Sequence, residues 1–306
     1  MTCLRITLAL FWLLPATMPA PASADSLPNA PRLELPQELR GSCPPREAAL
    51  LADGADGRFD EFSLWEAALV ASAVDDEQEL CLRREWLERL VAAWRSGIEG
   101  HASPRQRARA LHEQMHRELL TGGYNAASST PIETIDTGRF NCVSATLLYC
   151  VLAERFGLAV VPIESPSHVA CRLADAQEAC EIQTTCPEWF TQMIVPCKPA
   201  SAATSCQISQ PELIAAIYYN RGVDLLSRKQ FAPAVAVMHR AHRLHPSQAS
   251  VRGNLLAAMN NWAIALSYAG DHAAALRLLQ QGRELAADHG SFQFNYAVIQ
   301  RRAGQE

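Results

Sequence analysis

A single change of apolar period, just after residue 156, restricts the architectures open to this chain. From Asn141 to Phe156 the apolar residues Val143, Leu147, Leu148, Val151, Leu152 and Phe156 share one helical face. Asn141 is a favoured N-cap residue, and Gly157 is placed to end the helix. The period then shortens. Ala159 to Glu164, His168 to Leu173 and Ala179 to Thr184 read as short strands, the last two forming a hairpin around a polar turn near Asp175. Beyond the Pro-rich and Ser-rich stretch 195–211 every pattern is helical. The expected fold class is an α+β domain followed by an all-α array.

The remaining segments set the boundaries. Arg5, the apolar run Ile6 to Leu14 and the small-x-small step Ala22-Ser23-Ala24 predict a signal peptide over 1–24, cleaved near Ala24. That run is too short to span a bilayer, so no stable membrane insertion is expected after cleavage. Residues 25–58 read as an extended Pro-rich arm. The α+β domain is placed at 59–194. It opens with helical patterns from Phe62 to Ile98, broken near Asp75-Asp76, and a third helix from Ser103-Pro104 to Gly122-Gly123. Residues 195–211 are the expected linker, and 212–306 the array. In the array, Lys229-Gln230-Phe231-Ala232-Pro233-Ala234-Val235 is echoed 41 residues later by Gly270-Asp271-His272-Ala273-Ala274-Ala275-Leu276. The excess over a tetratricopeptide period of about 34 equals roughly two helical turns. It is assigned to the helix around Asn254 to Tyr268. Phe292 to Arg302 reads as the first helix of a truncated third unit.

A net charge of −5 offers no electrostatic basis for binding nucleic acid. Once Cys3 leaves with the signal, nine cysteines remain, so at least one thiol stays unpaired in an oxidising compartment. Cys142 is the thiol with a reason to stay free. It falls in the first turn of its helix, where unpaired N–H groups, the positive end of the dipole and partial exposure favour a thiolate. Its own N–H is placed to donate to an oxyanion. His168 follows at the start of a strand, and a polar residue lies on the partner strand, the order nucleophile, base, orienter.

On these residues the chain resembles the transglutaminase-like superfamily. The matching elements are Asn141-Cys142, the helix ending Leu152-Ala153-Glu154-Arg155-Phe156-Gly157-Leu158, the Pro166-Ser167-His168 step and Glu181-Ile182-Gln183-Thr184-Thr185. It is most similar to a bacterial branch with a helical segment before the core and tetratricopeptide repeats after it. The resemblance implies a papain-like α+β core with a Cys-His-acid triad. The position where relatives carry the acid is Gln183 here. If Cys171 and Cys180 pair directly across the hairpin, His168 faces Gln183 and Glu181 lies one diagonal step away. Cys142, His168, Gln183 and Glu181 are therefore the candidate catalytic residues. The implied function is that of an exported, periplasmic thiol-dependent acyl-transfer enzyme, an amide or peptide hydrolase whose repeats bind a protein or peptide partner. The alternative is a non-catalytic envelope scaffold.

Other signals are weaker. His112-Glu113-Gln114-Met115-His116 has zinc-peptidase spacing, but only Glu133 or Asp136 offers itself as a third ligand. His239, His242 and His245 read as a polar outer face of a repeat. Cys171–Cys180 is the favoured disulfide, Cys150 reads as core, and Cys186, Cys197 and Cys206 are placed to staple the linker. No P-loop, dinucleotide fingerprint or EF-hand loop is present, and no cofactor or metal is expected.

Overall fold

The protein is described by a computed structural model covering residues 33–175, 179–189 and 205–304. The expected signal peptide, residues 25–32 of the arm, the hairpin turn at 176–178, residues 190–194 at the end of the expected α+β domain, residues 195–204 of the linker, Cys197 included, and residues 305–306 lie outside the described residues. The chain divides into two compact units, one of residues 44–217 and one of residues 33–43 with 218–304.

The first unit begins with five helices: α1 (Pro45–Asp53), α2 (Leu64–Ala71), α3 (Glu77–Glu99), α4 (Pro104–Glu118) and α5 (Pro131–Thr137). Their starts are chemically marked. Ser63 and Ser103 form reciprocal capping boxes with Glu66 and Gln106, and proline occupies the first turn of α1, α4 and α5. Helix α6 (Cys142–Arg155) is the centre of the unit, with every residue from Val143 to Ala153 buried. Each fully buried leucine there, such as Leu147, Leu148 and Leu152, stabilises the fold by roughly 1.5–3 kcal/mol. Four antiparallel strands follow, β1 (Val160–Ser165), β2 (His168–Leu173), β3 (Cys180–Ile182) and β4 (Cys206–Gln207), in the order β3-β2-β1-β4.

Four expectations change. Residues 45–53 of the supposed arm are helical. Helix α4 stops at Glu118, and Leu120 turns its N–H back to the Met115 carbonyl before Gly122-Gly123 is reached. Within the expected linker, Cys206–Gln207 pairs with Ile163 and Glu164, because the outer edge of β1 needs partners for its N–H and C=O groups. Cys171 faces Ile182, and Cys180 faces Leu173. The hairpin is thus displaced by two residues from a direct Cys171–Cys180 pairing. The shift preserves which residues share a face, and it sets Arg172 against Glu181 in an ion pair of 3.0 Å.

The second unit takes the end of α7 (Gln210–Ser227) and then α8 (Phe231–Leu244), α9 (Ala249–Tyr268), α10 (His272–Leu285) and α11 (Gly290–Ala303). Consecutive helices pack on one another around Leu226, Met238, Leu255, Met259, Leu279 and Phe292. Helices α8 and α10 both have 14 residues and α9 has 20, which absorbs the long spacing of the repeat. Lys229 and Gly270, matched positions in the echoed segments, both have left-handed backbones, with φ of 60° and 85°.

Leu33, Leu35 and Leu39 join this core, and they overturn the solvent-facing reading of the α8 histidines. His239, His242 and His245 are buried. The Leu33 N–H donates to His242 Nε2 at 3.0 Å, and the Leu33 carbonyl accepts from His239 Nε2 at 3.2 Å. Among the described residues no helix is long and apolar enough to cross a membrane.

Candidate active site

Cys142 stands at the end of a tightly braced turn. Gly138 closes α5 with φ of 72°, and a Cβ on Gly122 would lie 2.6 Å from the Thr137 carbonyl oxygen. Two glycines are needed for that backbone-on-backbone approach. The Asn125 N–H donates to the Phe140 carbonyl at 2.8 Å, and the Asn141 N–H to the Ser128 carbonyl at 3.1 Å. Asn141 Oδ1 then caps α6 by accepting from the N–H groups of Val143 and Ser144, while Ser144 Oγ donates to the Ser128 carbonyl. The Asn141 and Ser144 side chains are thus committed to holding the turn that presents Cys142.

The Cys142 thiol is subject to opposing influences. Burial pushes it up from its ordinary value, and the charge of Glu164 adds to that. Hydrogen bonds from the backbone of Val169, of Cys142 itself and of Val143 pull it down. Burial is the largest, and the net direction is up, although the residue as a whole is only half-buried. The expected resting thiolate is therefore corrected. Desolvation of the sulfur outweighs the helix N-terminus, so deprotonation needs a base.

His168 begins β2, next to the Val169 whose backbone reaches the Cys142 sulfur. Its Nε2 lies 2.7 Å from Gln183 Oε1. With the amide oxygen facing the ring, Nε2 carries the proton and Nδ1 keeps the lone pair. Their hydrogen bonds separate the two orienting candidates. Glu181 is drawn to Arg172 at 3.0 Å, and its carbonyl accepts from Trp189 Nε1 at 2.7 Å, whereas Gln183 reaches His168. Thr146, one turn into α6, ties the pieces together. Its Oγ1 bonds the Val169 carbonyl at 3.2 Å and Thr184 Oγ1 at 2.9 Å.

No family model matches the chain, and no curated protein or solved structure is significantly similar to it.

Two features went unread in the sequence. The first is Glu164, which the β1–β2 register sets opposite Val169 and so near Cys142. A two-residue turn at Pro166-Ser167 fixes that register, so the signal was available. The second is the use of the α4 histidines. His112 Nε2 lies 3.3 Å from the Gln183 carbonyl, and His116 hydrogen-bonds the backbone of Thr184. The ring centres lie 4.6 Å apart with the planes tilted by 55°, neighbours as i,i+4 spacing predicts, but they face the turn that carries Gln183. Glu113 pairs with Arg109, Asp136 with Arg83, and Glu133 accepts from Ser128. Among the described residues no three His, Cys, Asp or Glu side chains are grouped to hold a metal ion. Burial brings the His112 pKa to about 4 and lowers that of His116.

Proposed function

We propose that this chain is an exported thiol-dependent acyl-transfer enzyme with a transglutaminase-like, papain-like core, cleaving an amide or peptide bond through Cys142, His168 and Gln183. The observation that carries the proposal is the 2.7 Å bond from His168 to Gln183 on a residue adjoining Val169, whose backbone contacts the Cys142 sulfur. In the reaction His168 takes the thiol proton at Nδ1, and the sulfur attacks the carbonyl carbon. The first N–H groups of α6 have no intrahelical acceptor, and that of Cys142 is positioned to hold the oxyanion. The imidazolium then gives its proton to the leaving amine, and water releases the thioester. Gln183 orients the ring throughout. As an amide it supplies no countercharge, so the base is weaker than one backed by a carboxylate.

The array serves as the recruiting part, a tetratricopeptide-like surface for a protein or peptide. A hollow of about 280 Å³ lined by Leu39, Pro233, Ala236, Arg240 and Trp262 belongs wholly to the second unit and is a place for such a partner, not for the chemistry. The competing reading, a non-catalytic scaffold, is favoured by the burial that holds the Cys142 thiol protonated.

Alkylation of the native chain with iodoacetamide from pH 5 to 9, read by peptide mapping, separates the two. An enzyme predicts Cys142 labelling that slows by about tenfold or more in His168→Ala and less in Gln183→Ala. A Cys142 rate indifferent to His168→Ala would leave the scaffold.

A further inference from the structure

Cys150 and Cys171 present a different cysteine chemistry. Cys150 lies two turns beyond Cys142 on α6, and Cys171 lies three residues beyond His168 on β2. Both are buried, and their sulfurs are 3.5 Å apart, in direct contact. We propose that Cys150 and Cys171 form a disulfide that fastens the helix carrying Cys142 to the strand carrying His168. The inference is independent of whether those two residues are catalytic.

Three observations favour this pair over the other thiols. Contact between the sulfurs leaves only a small closing movement to the S–S bond length of about 2.0 Å. Cys180, the nearest competitor on the sheet, faces Leu173, so it meets Cys171 only on the diagonal. Diagonal strand neighbours stand about 7–8 Å apart at Cα, beyond the usual reach of a disulfide. The exposed thiols of Cys81 and Cys206 have partners of their own, the Glu85 carboxylate and the Glu164 carbonyl.

Formation requires an external disulfide as oxidant, such as oxidised glutathione or an exported thiol oxidase. One cysteine thiolate attacks it, giving a mixed disulfide and releasing one thiol. The second cysteine thiolate attacks the protein sulfur of that mixed disulfide and releases the other thiol. The chain loses two protons and two electrons, and the oxidant gains them. Cys171 is fully buried and its thiol is pushed well up by burial, so exchange belongs to folding, before α6 and β2 close on one another.

The test uses the full chain, refolded with oxidised and reduced glutathione and then alkylated under denaturing conditions. Cleavage after Arg139, Tyr149, Arg155 and Arg172 puts Cys142, Cys150 and Cys171 on separate peptides. A linked pair of the Cys150 and Cys171 peptides, lost on reduction, with Cys142 recovered alkylated, is the expected result. The closed loop of 21 residues from Cys150 to Cys171 should also raise the thermal midpoint by roughly 5–10 °C over the reduced protein, a difference abolished in Cys150→Ala. Recovery of both peptides as alkylated singles, or linked only to other cysteines, overturns the proposal. The peptide map decides the matter on the wild-type chain even if Cys150→Ala fails to fold.

Discussion

Helices α4 and α8 each carry two histidines about one turn apart, and each pair binds the backbone of a segment far away in the chain. On α4, His112 and His116 bond two successive residues, Gln183 and Thr184. On α8, His239 and His242 bond the same residue, Leu33, one at its carbonyl and one at its N–H. A neutral imidazole has one donor and one acceptor nitrogen, so two of them can satisfy both backbone polar groups of one residue much as a neighbouring strand does. The pairs differ in what they anchor. The α4 pair stands behind the side chain that orients His168, and the α8 pair holds an arm to the array. Spacing suited to a metal is thus also spacing suited to a backbone clamp, and burial that favours the neutral form of His112, His116 and His239 serves the second use.

Acid should have the largest effect on both clamps at once. His112 and His239 move from an ordinary 6.5 in the unfolded chain to about 4 in the fold, which favours the neutral form. Their stabilisation is complete above 6.5 and is lost as pH falls toward 4, by roughly 3 kcal/mol per histidine at the lower limit. Urea unfolding at pH 7 and pH 4.5 should show this loss, and His112→Gln and His239→Gln should each flatten it. A slope unchanged in both variants breaks the comparison.

Removing one ring from each helix should separate the two roles. His112→Leu removes one of two partners of the half-buried Gln183 carbonyl, which also accepts from the Cys186 N–H, and His242→Leu leaves the buried Leu33 N–H without its acceptor. The second should cost about 1–3 kcal/mol in thermal unfolding, and the first less. His112→Leu should also slow alkylation of Cys142, through Gln183. His242→Leu should leave that rate unchanged and admit protease cleavage within 33–43. Equal alkylation rates in the two variants would remove the link between the α4 clamp and the site.

The smallest effect concerns the turns before α8 and α10. Lys229 holds a φ of 60° where Gly270 holds 85° without a side chain. Lys229→Gly should relieve left-handed strain and stabilise by about 0.5–1 kcal/mol, net of glycine's added chain entropy. A destabilised Lys229→Gly in thermal unfolding would show that the side chain is anchored in a way its matched glycine position does not need.

Local chemistry alone determined a good deal. Asn141 as cap, Ser103-Pro104 as helix start, the strands at His168 and Cys180, and the 41-residue echo each depend on a few neighbouring residues, so they are legible in a single chain. Which candidate reaches His168, what the histidine pairs hold, where Leu33 docks and whether the Cys142 sulfur is ionised were decided only by the tertiary structure. Glu181 and Gln183 share one face of the strand, so alternation alone does not choose between them. Desolvation at Cys142 depends on atoms that converge from β1, β2 and α6, so no local pattern records it.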